Sequence, residues 1–272
     1  MIGRAGRWVG FGGVLALVLV PIYWMVSTSL KSNKEITQDG TLYPHAPTFD
    51  NYSKLFAEKE FSHYLLNSVV VTSVSVLVSL VLGSLAAYAI ARFHMALGIE
   101  KWAGLGLLTM RIVPAVVILI PVYLLILKLK QLDTWLGLII VYTALNLTFV
   151  VWMMESFFRE IPVDLEEAAL VDGDSRLGAF RKVVIPLAAP GLVATAIFAV
   201  IVTFNEFMFA LVITATPDAM TMPRGTATLI GRIDTDWASM SAAGVLGALP
   251  IVVFALLVQR HLVRGLTLGA LK

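Results

Sequence analysis

Six long apolar stretches, separated by polar segments, constrain the fold of this chain more than any other feature. A helix needs roughly 20 mostly apolar residues to cross the hydrocarbon core of a bilayer. The stretches that meet this requirement lie at about 8–30, 65–91, 103–127, 136–158, 187–213 and 241–262. Charged residues make up 14% of the 272 residues and apolar residues 58%, whereas soluble domains carry about 25% charged residues. The sequence therefore predicts an all-α membrane protein, with residues 1–272 forming one domain of six transmembrane helices.

The distribution of basic residues predicts how these helices cross the bilayer. Arg4 and Arg7 precede the first apolar stretch, as in a secretory signal. The stretch runs on past Pro21 without a small-x-small cleavage site, so we expect a retained helix. Six crossings place both termini on one side. Eleven of the 20 Lys and Arg residues fall on that side and eight on the other, and basic loops favour the cytoplasm. The sequence thus predicts cytoplasmic termini and a cytoplasmic loop at 159–186.

The loop at 159–186 is unusual because it carries helix signals of its own. Pro162 suits the first turn of a helix, and Asp164 and Glu167 have the spacing of a capping box. Asp172-Gly173 is a turn signal that ends this short helix. Its small apolar face is predicted to consist of Leu165, Ala168 and Ala169. A second amphipathic stretch runs from Arg176 to Val184. Its apolar side consists of Leu177, Phe180, Val183 and Val184.

Two interpretations of this loop are equally open from the residues alone. The alanines permit close approach of a partner, and a neighbouring carboxylate offers it a charge. A simple amphipathic segment lying on the membrane surface would show the same pattern.

The composition excludes several classes of protein. A net charge of +2 provides no basic surface for nucleic acid. The absence of cysteine excludes disulfides and thiol catalysis. The chain has no HExxH, GxSxG or GxxxxGK[ST] pattern, so it is predicted to be neither an ATPase nor another enzyme. A secondary transporter would need coupling carboxylates or broken helices in two related halves, which a single dominant polar loop does not favour.

The polar loop resembles the cytoplasmic loop of the permease subunits of ABC importers. That family carries Glu-Ala-Ala, three further residues and Gly, and then a hydrophobic-x-x-Pro run, here Glu167–Gly173 and Val183–Pro186. Nearly the whole chain resembles the maltose-permease branch of carbohydrate importers, and within it the actinobacterial trehalose permeases. The other matching segments are Ser29-Leu30-Lys31, Pro47–Tyr52, Asn67-Ser68, Ala86–Phe93, Arg111–Pro114, Pro121, Asn205-Glu206-Phe207 and Gly265–Lys272.

The resemblance implies the type I ABC importer permease fold, with a cytoplasmic coupling helix in this loop. It implies a bacterial cell membrane, a second permease subunit, a dimer of ATPase subunits and an extracytoplasmic sugar-binding protein. ATP and Mg would sit on the ATPase subunits, with no cofactor on this chain. The implied cargo is a disaccharide, with trehalose favoured over maltose or another oligosaccharide. A permease for a non-sugar solute is the alternative. The residues implied to couple to the ATPase are Glu166, Glu167, Ala168, Ala169, Asp172 and Gly173.

Polar residues within the apolar stretches are candidates for the substrate pathway. An ionisable side chain at the centre of a spanning helix costs roughly 2.5–3.5 kcal/mol, so Arg111 and Glu206 are expected to face protein or a wet cavity. Glu206 could contact sugar, act as a gate or only bond a neighbouring helix. Arg111 is expected instead to pair with a carboxylate or to cap carbonyls freed near Pro114. The candidates for the pathway are Asn205, Glu206, Phe204, Phe207, Arg111, Tyr123 and Asn146. Many relatives have Trp where this chain has Phe204.

Overall fold

The computed structural model describes residues 4–58, 60–93, 106, 109, 113–231 and 235–269. Within these ranges the regular elements are all helices, joined by turns and loops, apart from one isolated bridge between Ile230 and Thr235, which confirms the all-α prediction. The helices are α1 (Arg4–Ser29), α2 (Asp50–Glu58), α3 (Phe61–Arg92), α4 (Ala115–Lys128), α5 (Trp135–Glu160), α6 (Asp164–Val171), α7 (Arg176–Ala179), α8 (Ile185–Phe204), α9 (Met208–Ile213), α10 (Met222–Ala227) and α11 (Trp237–Gly269). Two π turns lie at Glu35–Asp39 and Phe180–Val184.

Five helices in the described part of the chain are long and apolar enough to cross a membrane. They correspond to five of the six predicted stretches: α1, α3, α5, α11 and the continuous run of α7, the second π turn and α8. The third predicted stretch is represented by α4, which is a shorter apolar helix. Most of 103–112 lies outside the described residues, so the structure leaves the full length of that crossing untested.

Helices α3 and α5 form the central pair of the fold. The face of α3 toward α5 carries small side chains, which allow the two backbones to approach closely. A Cβ built on Gly83 of α3 would lie 2.6 Å from Val150 Cγ1 of α5. Neither helix contains a proline, whereas α1, α4, α8 and α11 each contain at least one. The pair is therefore the most regular part of the described chain.

The fifth predicted stretch, 187–213, is not a single helix. Helix α8 ends at Phe204, and α9 begins at Met208 after a break at Asn205–Phe207. A prediction from hydropathy continues across this break, because the residues on both sides are apolar. The physical reason for the break is Glu206, whose side chain accepts from the first backbone N–H groups of α9 and so starts a new helix.

The hydrophobic core consists of three clusters along the bundle. One lies where α3, α5 and the second π turn meet, around Ala87, Met154 and Phe180. A second lies between α3, α4, α5 and α9. The third, around Tyr64, Phe204 and Met222, lies at the end opposite α6. We call the end that carries α6 the loop end, and the end that carries α2, α10 and the start of α11 the far end.

Many apolar side chains remain exposed on the outside of the bundle. The spanning window of α1 is 0% buried within the chain, and that of α11 is 17% buried, against 44% for α5. A water-soluble protein rarely exposes apolar area on this scale. These helices therefore need lipid or another subunit against them, in agreement with a protein embedded in the membrane.

Two half-buried carboxylates organise the far end. Asp236 accepts from Asn33 at 2.9 Å and from Lys54 at 3.0 Å. Burial raises the pKa of this carboxyl group, but the hydrogen bonds from Ser239, Lys54 and Asn33 outweigh burial and lower the pKa to about 2. Asp133 accepts from the N–H groups of Ala215 and Thr216, which likewise hold its pKa below the usual range despite burial. Both side chains join segments that are distant in sequence.

Candidate functional site

Helix α6 is attached to the membrane-spanning bundle by one buried carboxylate. Glu166 Oε1 lies 2.6 Å from Arg92 Nε, and Glu166 Oε2 accepts from the Tyr88 hydroxyl at 2.7 Å. Arg92 also donates from Nη2 to the backbone carbonyl of Ile161 at 2.9 Å, in the short segment between α5 and α6. A buried charge must be paired and fully hydrogen-bonded, because desolvation otherwise outweighs the attraction. This arrangement therefore holds α6 against the end of α3.

The start of α6 differs from the capping box that the sequence predicts. The residue before the helix is Val163, and no side chain caps the helix N-terminus. Asp164 is already the first helical residue, which places its carboxylate one position too late to cap. The N–H groups of Glu166 and Glu167 instead bond to the carbonyl of Val163. Pro162 lies just before the helix and not in its first turn.

The two neighbouring glutamates of α6 point to different surroundings. Glu166 is buried, whereas Glu167 and Ala168 are exposed and Ala169 is half-buried. Consecutive residues on a helix are about 100° apart, so only one of the two carboxylates can face the bundle. Glu167 is left on the outer face, and Leu165 is also exposed there. The outer face of α6 is thus a small apolar surface that carries Glu167 and a further exposed carboxylate.

The turn after α6 has the geometry that Asp172-Gly173 predicts. Gly173 has φ +92°, a conformation that L side chains rarely adopt. Its N–H bonds to the carbonyl of Leu170, and the N–H of Asp174 bonds to that of Ala169. These two bonds form a Schellman motif, which satisfies the last carbonyls of the helix. The chain then reverses, and Ser175 caps α7 by accepting from the N–H of Gly178.

The segment after the turn packs α6 onto the core. Phe180 is buried, and its ring lies 4.6 Å from the ring of Tyr88 and 6.0 Å from that of Phe158. Val184 is also buried, but Leu177, which the sequence predicts on the same apolar side, is exposed. The π turn at Phe180–Val184 changes the helical register, so Leu177 does not fall on the same face as the other apolar residues.

The candidates for the substrate pathway occupy three different surroundings. Glu206 accepts from the Tyr142 hydroxyl at 2.8 Å and from the N–H groups of Phe209 and Ala210. Asn146 is buried and donates to Thr203 Oγ1 at 2.7 Å. These side chains join α5 to α8 and α9. This agrees with the alternative in which Glu206 only bonds a neighbouring helix.

Asn205 and Phe204 line a cavity of about 420 Å³ between α1, α8, α10 and α11. Phe204 and Ile251 also line a smaller cavity of about 170 Å³ on the α3 side. Asn205 is exposed, and its Nδ2 donates to the carbonyl of Ile201. The structure therefore brings Asn205 and Phe204 together at one opening in the bundle. The remaining candidates do not line these cavities: Phe207 and Tyr123 are half-buried elsewhere, and Arg111 lies outside the described residues.

Sequence reasoning missed the partners of Glu166. Tyr88 and Arg92 are four residues apart on α3, so they share one face of that helix. The sequence did offer a signal for these partners, namely an aromatic hydroxyl and a guanidinium at the polar end of a spanning stretch. In the part of the chain that the structure describes, no group of three or more His, Asp or Glu side chains could hold a metal ion.

These features fit a membrane-embedded helical protein with a helix attached to one end of its bundle. The chain belongs to the family described as binding-protein-dependent transport system inner membrane component, which matches residues 79–268. This membership confirms the resemblance to importer permeases and places the protein in the membrane. Members of this family are transport subunits and not enzymes.

Two relatives and one solved structure illustrate the similarity. The chain is 39% identical over 261 residues to the trehalose transport system permease protein SugB of Mycobacterium tuberculosis (strain CDC 1551 / Oshkosh), covering 95% of this chain and 94% of SugB. It is 36% identical to the sulfoquinovosyl glycerol transport system permease protein SmoH of Agrobacterium fabrum (strain C58 / ATCC 33970), covering 99% and 94%. A bacterial ABC transporter involved in import of the acidic polysaccharide alginate has a chain of the same fold, with TM-score 0.80, 23% identity, and coverage of 96% and 98%.

Proposed function

We propose that this chain is one permease subunit of an ATP-driven importer of a disaccharide, with trehalose the favoured cargo. The observation that carries the proposal is the way α6 is held. Its inward carboxylate, Glu166, is fixed to Arg92 of α3, while its outward carboxylate, Glu167, is presented on an exposed apolar face. A helix that is rigidly attached on one side and open on the other suits the transfer of movement from a partner.

The proposed partner at the loop end is a dimer of ATPase subunits. The exposed face of α6 offers Glu167 to a cation, and Ala168 beside it allows close contact. Val171 adds apolar surface, being 86% exposed. ATP and Mg would be bound by these partner subunits. Movement of the ATPase subunits would then shift α6 together with the end of α3, because the buried ion pair resists separation.

The proposed topology places α6 and both termini in the cytoplasm and the far end outside. The chain contains no cysteine, so single-cysteine reporters can test this directly. Val171→Cys at the loop end and Asp218→Cys at the far end are both at exposed positions. We expect a membrane-impermeant thiol reagent to label only Asp218→Cys in intact cells and Val171→Cys in inverted vesicles. The opposite labelling would reverse the proposed topology.

The proposed cargo follows from the relatives and from the cavity at the break in the fifth stretch. The named cargoes of SugB and SmoH are both glycosides, and this chain resembles the two about equally. The cavity beside Asn205 and Phe204 joins an amide to an aromatic ring, groups that suit the hydroxyls and the apolar face of a sugar. A second permease subunit would close the open side of the pathway, and a sugar-binding protein would deliver the cargo to the far end.

ATP hydrolysis by the reconstituted complex tests the proposal. The complex would contain this chain, its second permease subunit, the ATPase subunits and the binding protein, each sugar being added in turn. We expect trehalose-loaded binding protein to stimulate hydrolysis, and neither trehalose alone nor empty binding protein to do so. Stimulation by maltose or another glycoside would support the proposed importer and assign it a different cargo. If no sugar stimulates an intact complex, the cargo belongs to another chemical class.

A further inference from the structure

Helices α3 and α5 are joined to each other by polar contacts at both ends. At the loop end, Arg92 of α3 donates to the carbonyl of Ile161, directly after α5. At the far end, Trp135 Nε1, at the start of α5, donates to Asn67 Oδ1 of α3 at 3.0 Å. Between these points the helices pack through small residues. About 25 residues of α3 separate the two contacts, or roughly 37 Å at 1.5 Å per residue.

Each end of this pair also holds a segment that is not part of a membrane-spanning helix. At the loop end the segment is α6, through Glu166. At the far end it is residues 217–222. Asn67 Nδ2 donates to the carbonyls of Pro217 at 2.9 Å and Met220 at 2.8 Å. The N–H of Met222 donates to Ser68 Oγ at 2.7 Å, and Trp135 Nε1 also approaches the carbonyl of Asp218 at 2.9 Å.

Asn67 uses its whole amide group in these contacts. The side chain is 2% exposed, its two N–H groups serve two carbonyls, and its oxygen serves the indole. A buried amide with all its bonds made holds its neighbours in one geometry, because any displacement leaves a buried polar group unpaired. Residues 217–222 are therefore attached directly to α3 by three hydrogen bonds.

The other membrane-spanning route between the two ends is less regular. The run from α7 to α9 contains the π turn at Phe180–Val184, Pro190 in α8 and the break at Asn205–Phe207. Each of these is a place where a helix bends or its axis changes. A displacement applied at α6 is thus transmitted over the length of the bundle more faithfully through α3 and α5 than through α8.

We propose that Asn67, assisted by Ser68 and Trp135, is a positioning residue that makes the segment 217–222 move with α6 through α3 and α5. This inference rests on the proposed function, since it assigns the route by which an ATPase at the loop end acts on the far end. Asn67 needs no contact with the cargo for this role. Its effect is on where residues 217–222 lie when the ATPase subunits close.

The test uses the complete transporter with a fluorescent reporter on residue 218. Asp218→Cys provides the attachment point, since the natural chain has no cysteine. The emission of the reporter is recorded before and after a non-hydrolysable ATP analogue closes the ATPase subunits. We expect a change with native Asn67 and its loss in Asn67→Ala, together with about a tenfold loss of binding-protein-stimulated hydrolysis. Hydrolysis without binding protein is expected to persist.

Asn51→Ala is the matched control. Asn51 is also an asparagine at the far end whose Nδ2 donates to two backbone carbonyls, those of Ser29 and Lys31, each at 2.8 Å. Those carbonyls belong to the end of α1 and the loop after it, and not to the segment 217–222. We expect Asn51→Ala to keep both the reporter change and the stimulated hydrolysis. An equal loss in the two variants would refute the specific role of Asn67.

A milder variant covers the case in which Asn67→Ala does not assemble. Trp135→Phe keeps the aromatic ring and removes the indole N–H, and so should reduce the reporter change in an assembled complex. A full reporter change in assembled Asn67→Ala or Trp135→Phe overturns the proposal. Failure of the proposed function has a different signature, because native transporter would then show no stimulation by any sugar while the analogue still moves the reporter.

Discussion

Arg92 and Glu166 form an ion pair with an N–O distance of 2.6 Å, and both side chains are only 7% exposed. The two residues are 74 positions apart in sequence, so this contact is made by the tertiary fold. It joins a helix that crosses the membrane to a helix that lies at its surface. The chemistry of the buried pair leads to the first prediction.

Removal of one partner of this pair should destabilise the protein strongly. Glu166→Ala leaves the Arg92 guanidinium buried without its carboxylate, and breaking such a pair costs about 3–5 kcal/mol. The measurement is heat-induced unfolding of the purified complex in detergent. We expect the double variant Arg92→Ala with Glu166→Ala to be less destabilised than the sum of the single variants. Strict additivity would contradict a direct interaction.

Glu167→Ala should uncouple transport from hydrolysis without unfolding the chain. Glu167 is exposed, and among the residues that the structure describes it makes no side-chain bond that would hold α6, so the loss falls on the ATPase partner. We expect sugar uptake in vesicles to fall by at least about tenfold while the complex still purifies and retains basal hydrolysis. Asp164→Ala removes another exposed carboxylate of the same helix and serves as control. Normal uptake by the Glu167→Ala variant would show that Glu167 is not part of the contact with the ATPase subunits.

Gly173→Ala should disturb the turn after α6. The backbone there has φ +92°, and an L side chain in the left-handed region costs about 1–2 kcal/mol. We expect reduced uptake and faster proteolysis between α6 and α7. Gly173→Asn should restore part of both, because asparagine tolerates this region better than alanine. Equal effects of alanine and asparagine would show that the backbone conformation is not the cause.

The far end should lose order in acid because of Asp236. Its pKa in the folded protein is about 2, against 3.8 for an unperturbed group. A lowered folded pKa means that the stabilisation is complete above pH 3.8 and is lost as the pH falls towards 2. Hydrogen exchange of residues 31–54 in detergent measures this. Asp236→Asn should abolish the acid-dependent step, whereas Asp50→Asn, at an exposed position, should leave it unchanged. A step that survives in Asp236→Asn must arise from another group.

Glu206 should prove more important for stability than for choice of sugar. Glu206→Ala removes the carboxylate that caps α9, which costs about 0.5–2 kcal/mol. It also removes the acceptor of the Tyr142 hydroxyl. Tyr142→Phe removes only that bond and should cost about 0.5–1.5 kcal/mol. We expect both variants to unfold at lower temperature with unchanged sugar preference. A Glu206→Gln variant with native stability and altered sugar preference would instead make this carboxylate a cargo contact.

The membrane-spanning helices could be predicted because hydropathy is a local property. The stretch predicted at 65–91 is observed as Phe61–Arg92, and that predicted at 136–158 as Trp135–Glu160. The turn at Asp172-Gly173 was equally accessible, since a glycine after a short helix has a specific conformational role. The resemblance of the loop to importer permeases identified the family from the same local pattern.

The contacts of the candidate site could not be predicted, because they depend on which residues meet in space. Glu166 and Glu167 are chemically identical neighbours, and the sequence does not indicate which one faces Arg92. The break after Phe204 was missed because Glu206 appeared as an isolated charge in an apolar stretch. A carboxylate that caps a new helix differs from one that contacts cargo only through its tertiary neighbours, here Tyr142 and the start of α9.

The π turn at Phe180–Val184 has a consequence for how this loop tolerates changes in length. Such a turn holds one residue more than the α-helical turn it replaces. Deletion of a single residue there would convert the turn to a regular one and leave the flanking faces in place. The same deletion within α3 or α5 would rotate every following side chain by about 100°. The segment that contains this π turn can therefore accept an evolutionary insertion or deletion that the central pair, α3 and α5, cannot.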